Sequence, residues 1–135
     1  MIALDTNVLV RLITRDDPQQ AQAAAEVMRA EALWLSKTVL LELVWVLGYT
    51  YGFDRPNITL ALTTLLGLEH LRVEDAAAVA VAVRCYGQGM DFADALHLAS
   101  SEDAAEFVTF DRKLSSRAQE IQGTTPVRLL GGAWG

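Results

Sequence analysis

The stretch that decides the fold is the first one: Met1-Ile2-Ala3-Leu4-Asp5-Thr6-Asn7-Val8-Leu9-Val10-Arg11-Leu12-Ile13-Thr14. Ile2-Ala3-Leu4 is a short run of buried-strand character closed by Asp5. Residues 6–14 then place Val8, Leu9, Leu12 and Ile13 on one face at helical spacing. The same unit recurs along the chain. Leu33-Trp34-Leu35 reads as a strand, with Ser36 capping a helix over 37–49. Leu71-Arg72-Val73 reads as a third strand before a helix over 75–86. Phe107-Val108-Thr109-Phe110 ends at Asp111 and leads into a helix over 112–122, and 127–130 is a fifth strand. Further helices are predicted over 19–31, announced by Asp16-Asp17-Pro18, from Asn57 or Thr59 to residue 66 after the breaker 52–56, and from Asp91 to residue 104 after the loop 87–89. Short strands alternating with helices imply right-handed crossovers and a parallel sheet covered on both faces.

Composition sets the frame around that pattern. The 135 residues suit one domain, 1–135, with Gly131-Gly132-Ala133-Trp134-Gly135 as a loose tail. Hydrophobic residues make up 52% and charged residues 21%, and a chain of this size buries roughly 68% of its unfolded surface. The single cysteine, Cys85, excludes an internal disulfide framework and suits a reducing cytosol. No apolar run is long enough to span a membrane, and the start is too short and too soon acidic for a signal peptide. A soluble, cytoplasmic protein is expected. With 17 acidic against 11 basic residues the net charge is -6, which argues against electrostatic gripping of nucleic acid and suits either divalent cations or a basic partner.

Ligand sites of open parallel sheets lie beyond the carboxyl ends of the strands, where Asp5 and Asp111 stand. Either can also be a helix cap. Glu42 interrupts the otherwise apolar Val39–Leu47, so a largely buried helix is expected to hold a carboxylate that must be paired or metal-bound; the bland alternative is a narrow polar side beside Lys37 or Lys113. Asp91 and Asp94 lie one turn apart, Asp91 doubling as an N-cap, and Ala93, Ala95 and Ala99 leave room for Asp94 in a close-packed helix. His97 reads as a packed histidine rather than a ligand.

Several carboxylates in one pocket repel unless a hard cation neutralises them, which suits Mg²⁺ or Mn²⁺. One Cys and two separated His leave too few soft ligands for zinc. There is no Gly-rich phosphate loop and no Gly-x-Ser-x-Gly elbow, and Cys85 has no local base. Carboxylate-held metal at a strand edge suits phosphodiester hydrolysis, with Thr6, Asn7 and Thr109 as neutral groups orienting water or phosphate.

Four segments together resemble PIN-domain ribonuclease toxins of the VapC type: Leu4-Asp5-Thr6-Asn7; Ser36 through Glu42-Leu43; Asp91-Phe92-Ala93-Asp94-Ala95-Leu96-His97-Leu98-Ala99; and Val108-Thr109-Phe110-Asp111-Arg112-Lys113-Leu114. The resemblance implies a three-layer α/β/α sandwich with a central, mainly parallel sheet of four to five strands. It implies an Mg²⁺- or Mn²⁺-dependent endoribonuclease with Asp5, Glu42, Asp94 and Asp111 as the catalytic, metal-holding acids. Asp91 is then an accessory acid, and Thr6, Asn7 and Thr109 complete the motifs. It further implies an RNA substrate, a homodimer, and a cognate antitoxin whose C-terminal segment covers the site. Arg11, Arg15, Arg112, Lys113 and Arg117 are candidates for a basic rim. The apolar segment 39–53 with Trp45, Tyr49 and Tyr51, and the helix after Asn57, read as a surface for antitoxin or a second copy, with core packing equally open for Trp45. Two other readings stand beside the nuclease: a catalytically idle PIN-like module that binds RNA or protein, and a phospho-acceptor receiver domain. Asp5-Thr6-Asn7 lacks the acidic pair that a receiver requires.

Overall fold

In the computed structural model the first, second and fourth predicted strands are followed by Asp5, Ser36 and Asp111, each capping the next helix. The structure describes residues 1–131; the remainder of the expected loose tail, 132–135, lies outside the described residues. The chain forms two compact units, Met1–Ala76 and the part from Ala77 onward.

The first unit runs β1 (Ile2–Ala3), α1 (Thr6–Thr14), α2 (Pro18–Val27), β2 (Leu33–Leu35), α3 (Lys37–Trp45), a π-helical turn (Val46–Thr50), α4 (Arg55–Leu66) and β3 (Leu71–Val73). Its strands lie in the order β1-β2-β3, both pairs parallel, with Ile2 opposite Leu33 and Leu33 opposite Leu71. Helices α1 and α2 connect β1 to β2, and α3 and α4 connect β2 to β3, the crossovers that parallel pairing demands. Central β2 buries Leu33 and Leu35 completely, whereas edge strand β1 leaves Ile2 exposed. Leu33 and Leu35 share one face of β2, and Trp34, on the other face, is half-buried.

The second unit contains α5 (Ala76–Gly87), α6 (Phe92–Ala99), β4 (Phe107–Thr109), α7 (Arg112–Glu120) and β5 (Val127–Leu129). β4 and β5 pair in parallel with Phe107 opposite Val127, and α7 packs on β5. Tyr86 and Phe92 meet edge to face at 5.7 Å among buried Met90, Ala95 and Leu98. The fold is thus mixed α/β with all five expected strands in parallel pairs, grouped as three and two.

Polar caps set the helix starts. Asp17 accepts from the Gln20 N–H at 3.1 Å with Pro18 in the first turn, and Ser36 Oγ accepts from Val39 at 3.3 Å. Asp54 accepts from Asn57 at 2.9 Å, so α4 starts at Arg55, inside the predicted breaker, with Pro56 in its first turn. Helices α2 and α6 stop several residues short of their predicted ends, each where a carbonyl takes a side-chain partner. α2 ends at Val27, where His70 Nε2 lies 2.7 Å from the Met28 carbonyl. α6 ends at Ala99, where Ser101 Oγ donates back to the His97 carbonyl and the Thr125 hydroxyl donates to the Ser101 carbonyl. α3 gives way after Trp45 to the π turn, in which Tyr51 N–H reaches the Val46 carbonyl at 3.3 Å.

Candidate active site

Asp5 is placed by the junction it makes. Its backbone ends the β1 segment, its Oδ1 accepts from the Thr6 N–H at 2.8 Å, and α1 begins. Asp5, Thr6 and Asn7 line an open cleft of about 330 Å³, whose opposite wall is Glu42, Val46 and Thr50 of α3 and the π turn. Two of the predicted acids and two of the predicted orienting residues are therefore brought together within the first unit.

Glu42 is there for a different reason from the one its apolar neighbours suggested. It is exposed, not buried. Leu40, Leu43, Val44 and Leu47 take the buried side of the helix, and Thr38, Glu42, Trp45 and Tyr49 form its exposed stripe. The helix is apolar on most of its circumference yet still has a wet side, so no desolvation forces a partner on Glu42. Lys37, a suggested neighbour, pairs instead with Asp75 at 3.1 Å. Thr6 is the buried polar residue of the cleft: it is 5% exposed, and its Oγ1 has no hydrogen-bond partner among the described residues. An orphaned hydroxyl of this kind awaits a water, an ion or a phosphate oxygen.

The rim of the cleft holds a network that the sequence did not announce. Arg11 Nη1 donates to Asp16 Oδ1 at 2.8 Å and to the Tyr51 hydroxyl at 3.1 Å, its Nε donates to Gln20 Oε1 at 2.6 Å, and Tyr51 donates to Asp16 Oδ2 at 2.7 Å. The Tyr51 hydrogen bond, followed by those from Thr14 and Arg11, holds the Asp16 carboxyl below its ordinary pKa, and Asp16 in turn raises that of Arg11. Arg11 is therefore no free rim cation, and Arg117 likewise faces Glu120 at 3.7 Å. The available signal was the doubled acid Asp16-Asp17: one caps α2, leaving the other for Arg11.

In the second unit Asp91 caps α6, accepting from the Asp94 N–H at 3.2 Å, and Asp111 caps α7, accepting from Leu114 at 3.0 Å. Burial, then the neighbouring charges of Asp91 and Asp111, push the Asp94 pKa up, with His97 opposing. Like charges therefore do converge on Asp94. Thr109 Oγ1 accepts from the Asp111 N–H at 3.0 Å and so steadies the residue it was expected to assist. His97 is exposed, which removes the packed-histidine reading.

The cleft donors of the first unit and the carboxylates of the second are all hard oxygen groups that suit Mg²⁺ or Mn²⁺. Within either unit, among the described residues, no three Asp, Glu, His or Cys side chains gather closely enough to hold a metal. The family profile of the PIN domain matches residues 2–120. The chain belongs to the PIN domain family. PIN domains are generally nucleases and typically use divalent metal ions. A search of curated proteins finds no match. No helix among the described residues is long and apolar enough to cross a membrane.

Proposed function

We propose that this PIN domain protein is an Mg²⁺- or Mn²⁺-dependent endoribonuclease, the toxin of a toxin–antitoxin pair, and that 1–135 works as one domain. The observation that carries the reading is the cleft where Asp5, Glu42 and the unpartnered Thr6 hydroxyl converge from separate elements. The carboxylates proposed to take divalent cation are Asp5 and Glu42 within the first unit, and Asp94 and Asp111, with Asp91 as accessory acid, within the second. A bound divalent cation supplies an activated water and charge compensation for the phosphodiester.

The chain's own residues do the rest. Asp5, held by its bond to Thr6, presents its carboxylate at the mouth of the cleft. The Thr6 hydroxyl and the exposed Asn7 amide orient water or a phosphate oxygen. Thr109 holds Asp111 through its backbone N–H. Burial first, and then the charges of Asp91 and Asp111, push the Asp94 pKa up, and a bound cation would favour its ionised form by offsetting that repulsion. The acidic cleft also suits a basic residue of a cognate antitoxin as a stand-in for the cation, and a homodimer is the proposed free state.

Incubation of total RNA with the purified chain in Mg²⁺ or Mn²⁺ tests the reading, with EDTA and Asp94→Asn as controls. Discrete products, lost in both controls, are expected. Absence of cleavage together with absence of metal binding would replace the nuclease by the idle binding module.

A further inference from the structure

Trp45 and Tyr49 do not pack into the core. Their rings stack on each other with centroids 4.9 Å apart and 9° between planes, yet Trp45 remains 60% exposed and Tyr49 80% exposed. Stacking covers one face of each ring and restricts both side chains, while the outer faces stay open. The pair shares the exposed stripe of α3 with Glu42, which precedes Trp45 by one turn. Val46 and Thr50, the next residue after each ring, line the same cleft as Asp5 and Glu42. A flat, prearranged aromatic surface therefore adjoins the acid-lined cleft.

We infer that Trp45 and Tyr49 form a nucleobase-stacking subsite for single-stranded RNA beside that cleft, an inference that rests on the proposed reading of the cleft as an RNA site. Charge limits the ways in which such a strand can be held. At -6 the chain has little capacity to hold RNA by neutralising phosphates, and Arg11 is already engaged by Asp16, Gln20 and Tyr51. Base faces are neutral and every base has one, so stacking supplies affinity where phosphate contacts are repelled by Glu42 and its neighbours. A strand whose backbone enters the cleft can lay a flanking base on the outer face of the pair.

The test uses the full chain with Mn²⁺ and compares wild type with Trp45→Ala, Tyr49→Ala, their double variant and Trp45→Phe. Both rings are solvent-exposed, so the fold should survive. Each alanine variant should raise KM for single-stranded RNA roughly tenfold, with kcat at saturating RNA retained. Trp45→Phe, which keeps a stacking face, should stay near wild type. A short 2′-O-methyl oligoadenylate should quench tryptophan fluorescence in the wild type and not in Trp45→Phe; the difference isolates Trp45 from the other two tryptophans. Active protein with unchanged KM in the alanine variants overturns the subsite and leaves the ribonuclease reading intact. If those variants also lose mass by light scattering, the surface belongs to a second copy. Quenching without cleavage supports the subsite and absence of quenching overturns it; in either case the nuclease falls only if cleavage and metal binding are both absent.

Discussion

Asp5 and Asp111 each have two jobs available, helix cap and metal ligand, and substitutions at the two positions separate them. Asp111 Oδ1 accepts from the N–H three residues on, Leu114, at 3.0 Å, the geometry of a full cap. Asp111→Ala should cost about 1 kcal/mol, which for a chain of this size lowers Tm by about 3–6 °C. Asp111→Asn keeps an acceptor in place and gives up only the charge–dipole part, about 0.3–1 kcal/mol at low ionic strength and less as salt is added. Asp5 differs because its carboxylate accepts from Thr6, the adjacent N–H, at 2.8 Å, while the third donor of α1, Val8, goes to the Asp5 backbone carbonyl at 3.2 Å. Asp5→Ala should fall at the low end, about 0.5 kcal/mol. Thermal unfolding followed by circular dichroism, without metal and at moderate salt, reads these differences. Cleavage of RNA in Mn²⁺ reads the other job. All three variants should lose cleavage if both carboxylates take divalent cation. Full activity in Asp111→Asn would make Asp111 a cap and nothing more. An Asp111→Asn as unstable as Asp111→Ala, or an Asp5→Ala as costly as Asp111→Ala, would refute the capping argument itself.

Asp94→Asn should resist urea better than wild type at neutral pH without metal. The folded-state pKa of Asp94 lies above its unfolded value, so its contribution to stability is present at acid pH and is lost as pH rises through the raised pKa. The advantage of the Asn variant should accordingly shrink as pH falls into the ordinary carboxylate range, and an advantage independent of pH would refute the cause given. Tyr51→Phe removes the hydrogen bond that most lowers the Asp16 pKa, so an NMR titration should show that pKa moving upward. Leu43→Ala opens a cavity at a fully buried position behind Glu42 and should cost about 2–5 kcal/mol in denaturant unfolding.

Local chemistry explains how much of this was legible in the chain. Ile2-Ala3, Leu33-Trp34-Leu35 and Phe107-Val108-Thr109 read as strands because short apolar runs end at Asp or Ser, and Asp17, Ser36, Asp91 and Asp111 do cap the helices that follow. These features depend on residues within one helical turn of each other. Asp5, Thr6, Asn7 and Glu42, grouped in the sequence by the resemblance of their segments to PIN-domain proteins, do line one cleft. Tertiary structure decided what each side chain faces. The apolar run around Glu42 suggested burial, but a helix covered on one side leaves a stripe in water, and which stripe depends on what packs against Leu40, Leu43 and Leu47. The same covering leaves Trp45 and Tyr49 outside. Arg11, Asp16 and Tyr51 meet only because α1, the turn before α2 and the end of the π turn converge, and no local period records that. The grouping of five strands as three and two was decided in the same way. Strand character is a local property of the chain, whereas pairing is settled by where distant segments come to rest.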